Sequence, residues 1–388
     1  MNSPPPPPHV RTPAGRPRAR GLGIALPGQP GPWNAITDVP GVEVGYRTLI
    51  EGAGVRTGVT AVLPRGRDGV GEACAAGWYA LNGNGEMTGT AWIEETGSLT
   101  LPMTITNTHA VGACHRGTID WVARHSPELA REWLLPVVGE TWDGYLNEVN
   151  RNSVRPEAAE AAIDAATAGP VEEGSVGGGT GMTCYGYKGG SGTASRQVAY
   201  GPDRYTVGAF CQANFGSRSD LRVAGVPVGR DLGEDNPMED TARSLAPAGA
   251  GSAIVVVATD APLLPAQCTA LARRVPLGLG RTGTSGSHFS GDIFLAFSTA
   301  NRGALNSAFP VDPVDAAADG SGPGYDTLRF VPWGHVDPFY EATVQAVEEA
   351  VLNALVANEE MLGRDGRRVP ALPHGRLLEL LHAGGGLR

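Results

Sequence analysis

Two apolar blocks constrain this chain more than anything else in it: "AIVVVA" at residues 253–258 and "IFLAF" at 293–297. Neither alternates with polar residues, so each predicts a strand buried on both faces, and their sheet must be covered on both sides. A lone sheet with one wet face is excluded; helices or a second sheet have to close over it. Both blocks are entered abruptly. The first follows "SLAPAGAGS", small and flexible up to Ser252, and the second follows "SGD", with Ser290 and Asp292 at its mouth.

The surrounding chain supplies the other layers. Short β-rich runs occur in "NAITDVPGVEVGYRTL" and "TGVTAVLP". A strand is predicted in "SLTLPMTITNTHAVGAC", ending at Asn107–Thr108, and a hairpin in "RQVAYG" and "RYTVGAFCQANFG", parted by Pro-Asp. Helices are predicted in "SPELAREWLLPVV", in "RPEAAEAAIDAATAG" with Gly169 as its stop, and in "PLLPAQCTALARRVP". A long amphipathic helix is predicted in "DPFYEATVQAVEEAVLNALVANEEM", while "VPVGRDLGEDNPMEDTARSLAPAGAG" reads as an exposed loop. Strands and helices mix without a regular βαβ beat or a fixed-period repeat, so a layered α/β fold in one structural domain is expected.

Composition narrows the function. A chain of 388 residues, 41% hydrophobic and 18% charged, can bury a substantial core. A net charge of −10 gives no electrostatic footprint for nucleic acid or an anionic membrane. No apolar run is long enough to span a bilayer, and "MNSPPPPPHVRTPAGRPRARG" lacks the apolar stretch of a signal peptide. A cytoplasmic protein is expected, with a disordered leader at 1–20 and one domain at 21–388. Five scattered cysteines (Cys74, Cys114, Cys184, Cys211, Cys268) with no C-x-x-C read as reduced thiols.

Familiar motifs fail. The glycine-rich segment 174–196 contains "GGGTGM", but a P-loop needs Ser or Thr after its lysine, and Lys188 is followed by Gly189-Gly190. His109, Cys114 and His115 match no common zinc spacing, and no G-x-S-x-G elbow occurs. No metal and no cofactor are expected. Ser252 offers a different chemistry. If the Gly251–Ser252 bond breaks, Ser252 gains an α-amine beside its own hydroxyl, and such an amine titrates near pH 8, close enough to neutrality to act as its base. Ser290 and Asp292, two apart on a strand, share one face and would converge on Ser252 if their strand is its neighbour. On these residues alone, a turn before a strand and a polar strand entrance remain the plain alternatives.

Several blocks together resemble the L-aminopeptidase/D-esterase family, which includes the β-peptidyl aminopeptidases: "AITDVPGVEVGYRTL", "LNGNGEMTG", "PMTITNTHAVG", "PVVGETWDGYLN", "VGGGTGMTCYGYKGGSGTASR", "LRVAGVPVG", "GSAIVVVATDAPLLP" and "SGDIFLAFSTAN". The resemblance implies a four-layer αββα sandwich, similar to the N-terminal-nucleophile hydrolases but with different connectivity. It implies a precursor that cleaves itself between Gly251 and Ser252 into an α-chain, 1–251, and a β-chain, 252–388. It further implies removal of N-terminal residues from short peptides, amides or esters through an acyl-enzyme, no cofactor, and a homo-oligomer of processed units. By position, Ser252 matches the nucleophile, Ser290 and Asp292 its supporting pair, Asn214 the oxyanion donor and Glu140 the grip on the substrate's free amine. Trp142 would wall the side-chain pocket and Tyr145 is a further candidate. The chain departs from the family at His288 and Phe289, where smaller, more polar residues are expected. Ornithine acetyltransferases share the architecture but use threonine at the new N-terminus; an unprocessed binding protein on the same fold is the remaining alternative.

Overall fold

The two apolar blocks lie side by side at the middle of a six-stranded sheet. The computed structural model describes residues 7–238, 249–307 and 325–387. One sheet has the order β1 (Glu43–Glu51), β2 (Val55–Leu63), β5 (Met103–Asn107), β6 (Val137–Thr141). The other runs β4 (Ser98–Leu99), β3 (Cys74–Ala80), β12 (Ser290–Ser298), β11 (Gly251–Thr259), β10 (Asp203–Asn214), β9 (Gly190–Tyr200). A short hairpin, β7 (Thr183–Cys184) and β8 (Tyr187–Lys188), precedes β9.

Residues of β11 part alternately to two cores, as a period of two requires. Ile254, Val256 and Ala258 pack between the sheets with Val62, Ile105 and Val137. Val255 and Val257 face outward, in a second core with Leu271, Leu279, Phe339, Val347 and Val351. These come from the helices Pro265–Ala272, Val275–Arg281 and Asp337–Val356. On the far side, Val59, Ala61 and Leu63 of β2 pack with Trp121, Val122, Ala159 and Ile163 of the helices Val111–His125 and Pro156–Asp164. The layering is αββα. Close contact is made possible by glycine: a Cβ on Gly192 would lie 2.0 Å from the Ala350 carbonyl oxygen, where the long helix crosses β9.

Four expectations need correction. The helix expected at 126–138 shrinks to a 3-10 turn, Leu129–Arg131, before β6. Pro136 cannot continue a helix, and Val137 and Val138 pair instead with Met103 and Thr104. The loop expected to be exposed folds inward at Val228 and Leu232; its residues 239–248, including Ser244, lie outside the described residues. The long helix is not amphipathic in place, because every residue from Ala342 to Val356 is buried. Nor is the leader disordered over its described part, 7–20. Arg18, 2% exposed, donates to Glu173 at 2.7 and 3.1 Å and to the Asn34 and Thr193 carbonyls.

These last two corrections share a cause. Glu349 on the long helix is fully buried and accepts from Arg20 at 2.8 Å, Arg196 at 2.6 Å and Asn34 Nδ2 at 2.6 Å. The leader thus supplies cations that the buried carboxylates require. Burial alone would raise the Glu349 carboxyl, but the charge of Arg196 and the bonds from Arg20 outweigh it and hold the carboxyl at about 2. A depressed folded value means its contribution is complete above the ordinary 4.5 and is lost as pH falls toward 2. Glu349→Ala leaves two arginines buried without their carboxylate, and should cost about 3–5 kcal/mol in urea unfolding at neutral pH. A loss under 1 kcal/mol would mean the arginines find water.

Among the described residues no helix is long and apolar enough to cross a membrane. All five cysteines are buried and free.

Candidate active site

Strand register puts the candidate residues at one end of the six-stranded sheet. Ser252 is the second residue of β11; it pairs with Asn214 across the antiparallel β10 and with Gly291 across the parallel β12. Ser252, Asn214, Ser290, Asp292 and Glu140 are each at most 3% exposed. Paired residues share a face, so Ser252 Oγ and the Asn214 side chain both project between the sheets. Gly251 pairs with Ser290 and Ala253 with Asp292. Ser290 and Asp292 therefore lie on the opposite face, beside the peptide groups flanking Ser252. They converge on its main chain, not on its hydroxyl.

Ser252 Oγ donates to the Gly251 carbonyl oxygen at 2.5 Å, the carbonyl of the bond before it. Asn214 is clamped at both ends of its carboxamide: Nδ2 donates to Trp142 O at 2.9 Å, and Oδ1 accepts from Thr183 N at 2.8 Å. An amide nitrogen carries two N–H groups, and the bond to Trp142 O uses one of them.

Ser290 Oγ donates to Asp292 Oδ1 at 2.7 Å. Asn82 Nδ2 donates to Asp292 Oδ2 at 2.9 Å, and Asn82 Oδ1 accepts from Asp292 N at 2.6 Å. Burial raises the Asp292 carboxyl, while bonds from Ser290, Asn82 and the Ala253 main chain pull it back down. Glu140 ends β6. Its Oε1 accepts from Glu86 N at 2.9 Å and its Oε2 from the Thr108 hydroxyl. Burial raises its carboxyl, opposed by those same two bonds. Only glycine fits between it and β12: a Cβ on Gly85 would lie 3.3 Å from Glu140 Oε1 and 2.8 Å from Gly291 Cα.

Trp142 is half-buried and packs against a small cluster of Tyr145, Leu146 and Val369. Its carbonyl accepts from Asn214 Nδ2. Tyr145 sits within that cluster, with the Arg367 guanidinium 5.4 Å from its ring centre. Phe289 is half-exposed, and its carbonyl accepts from Gly251 N and Asn84 Nδ2. His109 meets Asn150, and no group of three or more metal-ligating side chains occurs among the described residues. Asn82, Thr108 and Thr183 escaped spacing arguments. All three do lie in the family-like blocks, Asn82 in "LNGNGEMTG", Thr108 in "PMTITNTHAVG" and Thr183 in "VGGGTGMTCYGYKGGSGTASR".

Comparison with known proteins speaks to the family and the fold. A family model described as Peptidase family S58 matches residues 34–369. The beta-peptidyl aminopeptidase of Sphingosinicella microcystinivorans is 47% identical over 380 residues, covering 94% of this chain and 92% of that one. Two solved structures superpose with a TM-score of 0.86. The L-aminopeptidase D-Ala-esterase/amidase of Ochrobactrum anthropi, a serine aminopeptidase with a variant of the Ntn hydrolase fold, is 42% identical over 96% of this chain and 99% of its own. A beta-aminopeptidase from Burkholderia sp. is 44% identical over 95% and 99%.

Proposed function

Because the chain belongs to peptidase family S58, we propose that its residues 1–251 and 252–388 are two products of self-cleavage, and that Ser252 is the nucleophile of the resulting aminopeptidase. The protein is a hydrolase of the serine aminopeptidase class, acting on peptide or amide substrates. The observation that carries the self-cleavage is the Ser252 hydroxyl lying against the Gly251 carbonyl group.

Attack of Oγ on the Gly251 carbonyl carbon breaks the Gly251–Ser252 C–N bond, the proton passing to the departing nitrogen. Water then hydrolyses the ester, leaving a Gly251 carboxylate and a Ser252 with free amine and hydroxyl. In the mature enzyme that amine takes the hydroxyl proton as Oγ attacks the substrate carbonyl. Ser290 and Asp292, on the main-chain side of Ser252, hold and orient the amine. Asn214 Nδ2 receives the oxyanion. Release of the amine product leaves an acyl-enzyme, which water resolves. Processed units assemble into homo-oligomers in the cytoplasm, in keeping with five reduced, buried thiols.

Glu140 makes the enzyme an exopeptidase by binding the substrate's ammonium. Against a panel of short amides, those with a free amine should turn over and their N-acetylated counterparts should not; equal turnover would contradict the exopeptidase reading. Glu140→Gln should raise KM for the free amines roughly 10- to 100-fold, the worth of a charged hydrogen bond. Since burial raises this carboxyl, KM of the unmodified enzyme should climb on acidification before an ordinary glutamate would protonate. A KM that stays flat down to pH 4 would remove Glu140 from amine binding.

A further inference from the structure

Lys188, the one lysine of the chain, is completely buried. Its ammonium donates to three main-chain carbonyls, Met182 and Gly189 at 2.7 Å and Gly179 at 3.4 Å, rather than to a carboxylate. Placing a cation there is costly, and burial pulls its pKa down to about 7. A plain core would hold methionine or leucine.

The carbonyl of Met182 and the N–H of Thr183 belong to one peptide unit. Its oxygen accepts from Lys188 Nζ and from Gly189 N, at 2.7 and 2.9 Å. Its N–H donates 2.8 Å to Asn214 Oδ1. A peptide unit is planar and stiff, so fixing one end aims the other. That N–H also decides which end of the Asn214 carboxamide is oxygen, and leaves Nδ2 to donate toward Trp142 and the reacting carbonyl. The glycine-rich segment gains a purpose. Gly179 and Gly189 offer carbonyls to the ammonium, and a Cβ at Gly189 would lie 2.4 Å from the Ala213 carbonyl oxygen, beside Asn214.

We propose that Lys188 is a positioning residue for the oxyanion donor: by anchoring the Met182–Thr183 peptide it sets the orientation in which Asn214 Nδ2 meets the developing oxyanion. This rests on the reading of Asn214 given above. Lys188 touches no reacting atom; its effect travels through one peptide group and one side chain.

The test is a double-mutant cycle of Lys188→Met with Asn214→Ala, reading kcat and KM per cleaved chain on alanine p-nitroanilide, with thermal midpoints alongside. Lys188→Met keeps the length of the side chain and deletes its donors. It should lower kcat about tenfold or more with KM within about twofold, as expected when a catalytic donor is misplaced. Lys188→Gln, which retains two N–H donors, should recover part of that loss. In the Asn214→Ala background, Lys188→Met should change kcat by less than about twofold, because the group it positions is gone. Multiplicative losses, a change confined to KM, or failure of both Lys188 variants to give soluble protein would each overturn the proposal and make Lys188 a folding residue only. An Asn214→Ala enzyme with undiminished kcat would instead refute the oxyanion reading itself, and the positioning role with it.

Discussion

Ser252→Ala will yield a single unbroken chain of 40.1 kDa on a denaturing gel, with amide hydrolysis lower by at least about four orders of magnitude, as removal of a serine nucleophile does elsewhere. The substitution deletes one oxygen from a site 2% exposed and breaks one short bond, to the Gly251 carbonyl. The structural penalty is about 1 kcal/mol, so folding and αββα packing persist and the loss is chemical. Both consequences follow from the same atom. In the proposed mechanism Oγ is the attacking group for the internal bond, and without that cleavage no α-amine exists to serve as base. A variant that is still cut at this bond but inert toward amides would separate the two roles and disprove their common origin. Gel bands and N-terminal sequencing of any fragment read the first result; initial rates read the second.

Asn214→Ala is expected to lower kcat by about 10²–10³, the range for loss of one oxyanion donor, with KM little changed, since the interaction strengthens only as the carbonyl oxygen gains charge. Self-cleavage should slow as well, because the Gly251 carbonyl passes through the same kind of tetrahedral state. Asn214→Asp, close to the same shape but carrying a carboxylate, should be no better than alanine: it replaces the Nδ2 donor, which lies against the Trp142 carbonyl, with an acceptor. A KM effect with kcat preserved would recast Asn214 as a substrate-binding group.

How much of this was legible in sequence depended on the range of the contacts. The central strands were, because Ala253–Ala258 and Ile293–Phe297 are apolar on both faces and admit no other placement. The Ser290–Asp292 pair was, through the two-residue period of a strand. Which face that pair took relative to Ser252 was not, since register between β11 and β12 is a property of the pairing and appears in neither strand alone. Asn82 and Asp292 are 210 residues apart, and Thr183 and Asn214 are 31 apart; no local spacing encodes either bond. The leader misled for a related reason. Proline and arginine suggested a solvated tail, yet Arg18 and Arg20 are counter-ions to Glu173 and Glu349, 155 and 329 residues along the chain. Long-range electrostatic pairing is the part a linear reading loses.

Intact mass spectrometry of the purified, active protein under denaturing conditions tests the central claim most directly. Two polypeptides, one ending at Gly251 and the other beginning with Ser252 and bearing a free α-amine, are the predicted result. Full amide hydrolysis by a preparation whose only species runs unbroken from Met1 to Arg388 would contradict it.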